Sequence, residues 1–159
     1  MSQTVKASTS IPAPIRITLT ILEPISTLYG IYLGIAKPDV LMSDHFSRGT
    51  IAYAPETKTL YTQLSGMWAF FAFTEAFVMG SFDDLRLWQR VCVGFLVCDV
   101  FFYQAMAEAV GGWAVFLSAP TAWDWFNILA PVAYTVMRLY VVVGIGAKTG
   151  TVVKTGKGE

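Results

Sequence analysis

The sequence predicts an all-α fold, a four-helix transmembrane bundle, on three observations. Four apolar runs of 20 to 24 residues recur along the chain, at 17–36, 60–80, 87–107 and 123–146. A helix needs about 20 residues to cross about 30 Å of hydrocarbon. Second, 55% of the side chains are hydrophobic and 14% are charged, against about 25% charged in a soluble domain. Third, 11 basic residues face 11 acidic ones, so there is neither a net charge to solvate a surface nor a basic field to hold nucleic acid. The runs are too long and too uniformly apolar for barrel strands, which alternate.

In order along the chain, residues 1–14 are polar with Pro12 and Pro14, and read as a flexible arm. The first span, Ile17 to Ala36, has one charge, Glu23. Gly34-Ile35-Ala36 resembles a signal-cleavage site, but the run is too long for a signal peptide, is interrupted by Glu23-Pro24 and lacks a strongly basic start. Pro24 removes the backbone bond to the Thr20 carbonyl and kinks the helix beside a carboxylate. Gly30 and Gly34 form a small-xxx-small pair suited to close helix packing.

Residues 37–59 are a polar connection, and the second span, Leu60 to Gly80, has Glu75 as its one charge. Ser81 to Arg86 makes a tight turn before the third span, with Arg90 near its mouth and Asp99 deep inside. Gly111-Gly112 ends that helix, residues 108–122 form a short loop, and Pro120 suits a helix start. The fourth span begins at Trp123, is kinked at Pro131 and holds Arg138. Residues 15–146 thus form one membrane domain, and 147–159 a flexible Gly/Lys/Thr-rich tail.

Basic residues set the orientation. With the N-terminus inside, seven (Lys6, Arg16, Arg86, Arg90, Lys148, Lys154, Lys157) lie on that side and three (Lys37, Arg48, Lys58) on the other. Both termini are therefore expected in the cytosol. Trp88, Trp113, Trp123 and Trp125 sit near span ends, as interfacial anchors do.

The candidate site consists of the charges inside the spans, since an unpaired charge at mid-membrane costs about 2.5–3.5 kcal/mol on insertion scales. Counted from the span ends, Glu23, Glu75 and Arg138 fall in the cytosolic half and Asp99 near the midplane. Arg138 is placed to bridge Glu23 and Glu75 as a charge partner, because a guanidinium fork can satisfy two carboxylates. Two acids and one base leave one proton to share, which is what a general acid donates. Asp99 has no base at its own depth and is a third candidate acid, with Tyr103 one turn along and Gln104 beside it. Asn127, Tyr134 and Arg138 share one stripe of the fourth helix. Trp68, Phe71, Tyr103, Trp125, Asn127 and Tyr134 are the candidate substrate-binding residues of this polar core.

Other chemistries lack support. Cys92 and Cys98 point to different helix faces and suit neither a disulfide nor a metal pair, and His45, the single histidine, reads as a solvated loop residue. There is no phosphate-binding glycine loop, nucleophile elbow or metal-ligand cluster, so no cofactor and no metal are expected.

Leu22-Glu23-Pro24-Ile25, Gln63, Glu75, Cys98-Asp99, Trp125-Phe126-Asn127, Arg138-Leu139-Tyr140 and Gly144 together resemble a family of small, largely uncharacterised four-span fungal membrane proteins, over residues 15–146. More distantly, the layout is similar to the four-span sterol-isomerase and emopamil-binding-like domain, whose members bind sterols. It also resembles the longer fungal membrane terpene cyclases, which protonate isoprenoid epoxides with buried carboxyls. These resemblances imply a place in secondary metabolism and a lipophilic substrate.

Two functions follow as expectations. The first is an integral membrane protein, in the endoplasmic reticulum rather than the plasma membrane, that binds an isoprenoid- or polyketide-type molecule. As an enzyme it would be an isomerase or cyclase using Asp99, Glu23 or Glu75 as acid, working beside other membrane-bound pathway enzymes. The second is a non-catalytic scaffold or accessory transport subunit whose intramembrane charges are architectural.

Overall fold

The computed structural model describes residues 5–45, 53–118 and 122–144, and these are all-helical, with no strand among them. The expected tail, Arg48, Pro120 and the lysines at 148, 154 and 157 lie outside the described residues. A one-turn helix α1 (Ala7–Ser10) precedes α2 (Ala13–Ala36). Then come α3 (Pro38–His45), a 3-10 turn at Pro55–Thr57, and α4 (Lys58–Phe73), which continues as a π-helix over Thr74–Met79. The chain closes with α5 (Leu85–Ala109), α6 (Trp113–Ser118) and α7 (Ala122–Val143). The connection at 37–59 and the loop at 108–122 therefore each hold a short helix, and His45 ends α3.

Three helices, Ala13–Ala36, Leu85–Ala109 and Trp125–Val143, are long and apolar enough to cross a membrane, consistent with a multi-pass integral membrane protein. The second expected span is also helical but is not among them. Its run carries Gln63, Ser65, Thr74 and Glu75, which dilute its apolar character.

α2 and α4 run antiparallel. As the chain ascends α2, its neighbours descend α4: Gly30 lies against Trp68, and Gly34 lies against Ser65 and the Tyr61 carbonyl. A Cβ at Gly34 would stand 2.3 Å from Ser65 Oγ, so the bare backbone is what allows this approach. α5 and α7 are likewise antiparallel, with Gln89 Nε2 donating to the Val141 carbonyl at 3.3 Å and Tyr103 bonded to Thr135 at 2.9 Å.

These two helix pairs join at one end and part toward the other. Their shared core consists of Leu19, Met79, Leu85, Trp88, Cys92, Phe95 and Val141, with Ala7 and Ile11 of the N-terminal arm. That core gathers the start of α2, the end of α4, the start of α5 and the end of α7, and can be called the closed end. A second small core, Met106, Ala107 and Phe116, belongs to the α5–α6 corner. Between the pairs, packing runs mainly through the π turn of α2, the π turn of α4, and their contacts with α5 and α7.

The π turns have local causes. Pro24 cannot donate to the Thr20 carbonyl, and the helix widens to a π turn over Thr18–Leu22, just before Glu23. In α4, Thr74 Oγ1 donates back to the Phe70 carbonyl at 2.8 Å, a bond that loosens the ladder where the second π turn begins.

One local reading changes, and the N-terminal arm makes specific contacts. Trp88 is not an interfacial anchor: it is 3% exposed and donates its indole N–H to the Phe82 carbonyl at 2.9 Å, bracing the turn between α4 and α5. The polar arm at residues 5–12 is tied down, with Ala7 and Ile11 buried. Ser8 donates from its backbone N–H and its hydroxyl to the two Asp83 carboxylate oxygens, each at 2.6 Å. Asp84 caps α5 by accepting from the Arg86 N–H at 2.8 Å.

Candidate functional site

Four charged side chains converge above the closed end, one from each long helix. Arg138 is 6% exposed, Glu75 1% and Glu23 7%. Arg138 Nη2 donates to Glu75 Oε1 at 3.0 Å and also to Glu23 Oε1. This is the bridge expected from counting depth along the spans.

Asp99 departs from that expectation. It does not lack a base: Arg138 Nη1 donates to both of its oxygens, at 2.7 and 2.9 Å. Side chains on a helix lean toward its N-terminus. α5 and α7 are antiparallel, so Asp99 leans toward the closed end while Arg138 leans away from it, and the two meet between their Cα levels. One guanidinium thus serves three carboxyls, and the Phe95 ring lies 5.0 Å from its centre.

Tyr103 joins this group through a residue that no sequence expectation included. Thr135 Oγ1 donates to Asp99 Oδ2 at 2.8 Å, which leaves its lone pairs to accept from the Tyr103 hydroxyl at 2.9 Å. Thr135 sits three residues before Arg138 on the same face of α7, and that spacing is the signal in the sequence that could have found it. Gln104 turns elsewhere, donating to Glu108 Oε1 at 2.6 Å and accepting from the Trp113 indole at 3.1 Å.

Above the ion cluster the parted helix pairs enclose a cleft of about 580 Å³. Glu23, Glu75, Asp99 and Arg138 form its charged floor, and no other charged residue lines it among the described residues. Of the expected binding residues, Trp68, Phe71 and Tyr134 line the walls. Tyr103 reaches the floor through Thr135, while Trp125 and Asn127 are not in the lining. Phe102, Met106, Pro131, Cys98 and Ser26 also line the walls, and the sequence did not single them out as binding residues. Met67 and Phe101 are at once lining residues and outward-facing ones, 56% and 71% exposed, so the cleft opens sideways between apolar side chains.

Two buried polar atoms of the floor find no partner among the described residues, Glu23 Oε2 and Arg138 Nε. An unpartnered buried acceptor costs about 1–3 kcal/mol. The cluster counts three acids to one base, so its neutral form holds two protons. Among the described residues, no group of His, Cys, Asp or Glu is placed to hold a metal ion.

No curated protein and no solved structure matches the chain. The similarity to sterol-isomerase-like domains and terpene cyclases therefore has no counterpart in these comparisons. A family model does match, over residues 8–148, nearly the whole of the described helices. Its description is a domain of unknown function, DUF7704, and the chain belongs to that family.

Proposed function

We propose that this protein binds a lipophilic molecule of isoprenoid or polyketide type within the bilayer and isomerises or cyclises it by proton transfer. In this reading α4 crosses the membrane beside α2, α5 and α7, giving four spans with both termini in the cytosol, and the membrane is that of the endoplasmic reticulum. The observation that carries the reading is a cleft with apolar walls, a sideways apolar opening and a floor made of Glu23, Glu75, Asp99 and Arg138. Cavities of about 300–1,000 Å³ with few convergent polar groups are typical small-molecule sites.

The chemistry assigns roles to named atoms. Glu23, which lines the floor of the cleft, is the donor to a double bond of the bound molecule. The resulting cation is stabilised by Trp68, Phe71 and Phe102 and by the carboxylates of the floor. Loss of a different proton from the substrate to a carboxylate restores the acid. The product is an isomer, and no electrons are gained or lost. Arg138 fixes the carboxyls and does not donate.

The test uses solvent deuterium, which a protonated double bond retains as a C–D bond. The protein in nanodiscs is incubated in D2O with a mixed isoprenoid and sterol extract, and the lipids are analysed by mass spectrometry. The expected result is deuterium uptake into one lipid class, abolished in Glu23→Gln. Retention of a lipid without deuterium uptake would leave a binding protein and reject the proton transfer.

One observation favours a second reading, an architectural role as scaffold or transport subunit. Both terminal nitrogens of Arg138 are engaged by protein carboxyls, and the cluster ties four helices together. Under that reading no lipid is retained and Arg138→Leu lowers only the folded amount.

A further inference from the structure

We infer that α2 and α4 form one jaw that swings on its two π turns against α5 and α7, so that the cleft has an open and a closed width. The inference concerns how the cleft admits and releases an occupant, and it holds whether or not proton transfer takes place there.

Chain connectivity allows the motion. α2 leads through α3 to α4, and α5 leads through α6 to α7, so the crossings at the open end join helices of the same pair. The connection between the pairs is the short turn from Gly80 to Asp84, at the closed end. The Trp88 indole on the Phe82 carbonyl and Ser8 on Asp83 brace that turn. The core shared by the two pairs lies at the same end, whereas the second small core belongs wholly to the α5–α7 pair.

Each pair is held together along its length. Gly30 against Trp68 and Gly34 against Ser65 bring α2 and α4 into close contact toward the open end. Gln89 on the Val141 carbonyl and Tyr103 on Thr135 join α5 to α7. Across the cleft above the charged floor, the Ser26 and Tyr134 hydroxyls stand 3.5 Å apart. A full O–H···O bond is about 2.5–3.0 Å long, so this contact holds the pairs only weakly.

The hinge is in the backbone. The π turns Thr18–Leu22 of α2 and Thr74–Met79 of α4 pack against each other, beside Glu23 and around Glu75. A π turn interrupts the i to i−4 ladder, and such interruptions are where long helices bend. Two of them side by side in adjacent helices make a line across the pair, along which α2 and α4 bend together without sliding past each other. Arg138 lies on that line and holds Glu23 and Glu75 from α7, so the floor serves as the pivot and stays joined as the jaw moves. Leverage enlarges a small bend. From Glu23 to Ala36 the helix extends about 20 Å at 1.5 Å per residue, so a bend of about 10° moves its far end by about 3–4 Å. That displacement is comparable with the thickness of a hydrocarbon chain.

Pulsed dipolar EPR on the full-length, spin-labelled protein in nanodiscs tests this. Labels are attached to pairs of introduced cysteines in a Cys98→Ser background, with Cys92 left in the core where it is fully buried. Leu60 with Leu129 spans the cleft, Ile25 with Leu60 lies within the first helix pair, and Val97 with Leu129 within the second; all four positions are exposed. The distance distribution for Leu60 with Leu129 should be wider than either within-pair distribution by about 3–4 Å, the reach of the lever. Pro24→Ala restores an N–H for the Thr20 carbonyl and should tighten the π turn of α2, narrowing the cross-cleft distribution and leaving the other two unchanged. If that variant does not fold, Thr74→Val, which removes the bond back to the Phe70 carbonyl, makes the same test on α4. A cross-cleft distribution as narrow as the within-pair ones overturns the jaw. A cross-cleft distribution that stays equally wide in the hinge variant overturns the π turns as its pivot. Either result leaves the cleft standing as a ligand site, because no distance in the experiment depends on an occupant.

Discussion

Arg138 on α7 grips Asp99 on α5 with one nitrogen, Nη1, which reaches both carboxylate oxygens at 2.7 and 2.9 Å. The other nitrogen, Nη2, is left for Glu75 and Glu23. This division of one planar fork ties the two helix pairs together at the base of the cleft.

Replacing Arg138 with leucine leaves two buried acids, Glu23 and Glu75, and the partly buried Asp99 with no counter-charge. Breaking a buried ion pair by removing one partner costs about 3–5 kcal/mol. The expected outcome is a large fall in thermal stability of the detergent-solubilised protein and in its membrane abundance. Arg138→Lys should recover only part of it, because an ammonium lacks the two-armed geometry that Asp99 and the glutamates use. Equal stability of the lysine variant and the unmodified protein would contradict the fork.

Thr135 connects Tyr103 to Asp99 and is nearly isosteric with valine. Thr135→Val should cost about 1–3 kcal/mol, since it leaves a carboxylate bond and a tyrosine hydroxyl unmade in a partly buried place. Tyr103→Phe made in the same background should add little, a non-additivity that a double-mutant cycle in thermal denaturation reads directly.

Gly34 meets Ser65 Oγ so closely that a Cβ would lie 2.3 Å away. Gly34→Leu should therefore push α2 from α4 and destabilise by about 1–3 kcal/mol or more, whereas Gly94→Ala, with nothing within 4 Å of its Cβ position, should be neutral. Thermal unfolding of the two variants side by side is the check.

At the outer surface of the closed end, Asp83 offers a pH handle. The hydroxyl and the backbone N–H of Ser8 hold its carboxyl below the ordinary value of 3.8, with Lys6 and Arg16 adding to this. A depressed folded-state value means that the latch contributes fully above the ordinary carboxylate range. Its contribution is then lost as pH falls below 3.8 toward the folded value. Proteolysis or hydrogen exchange of residues 5–12 should accelerate over that window, and Asp83→Asn should flatten the dependence.

Much of the architecture was readable from residues. Runs of 20 to 24 apolar side chains mark helices regardless of their partners, and the depth of Glu23, Glu75 and Arg138 in their spans placed them together. The partner of Asp99 was not readable by the same count. Depth counting follows Cα positions, while a long arginine leaning toward its helix N-terminus covers the difference in level. Trp88 looked like an anchor because its place at a span end is common to anchors, and only the Phe82 carbonyl beside it reveals the brace. The two helix pairs meet at two π turns. Pro24 announces one of them, but Thr74 lies in a stretch whose composition is ordinary for a helix.

The central claim is that the cleft above Arg138 holds a lipophilic molecule. The most direct measurement is organic extraction of the protein purified from its native host in mild detergent, with mass spectrometry of what is released, alongside Ala105→Phe prepared identically. A stoichiometric lipophile released by the unmodified protein and absent from Ala105→Phe is the predicted result. Identical extracts from the two, with nothing above the background of bulk lipid, would contradict the account.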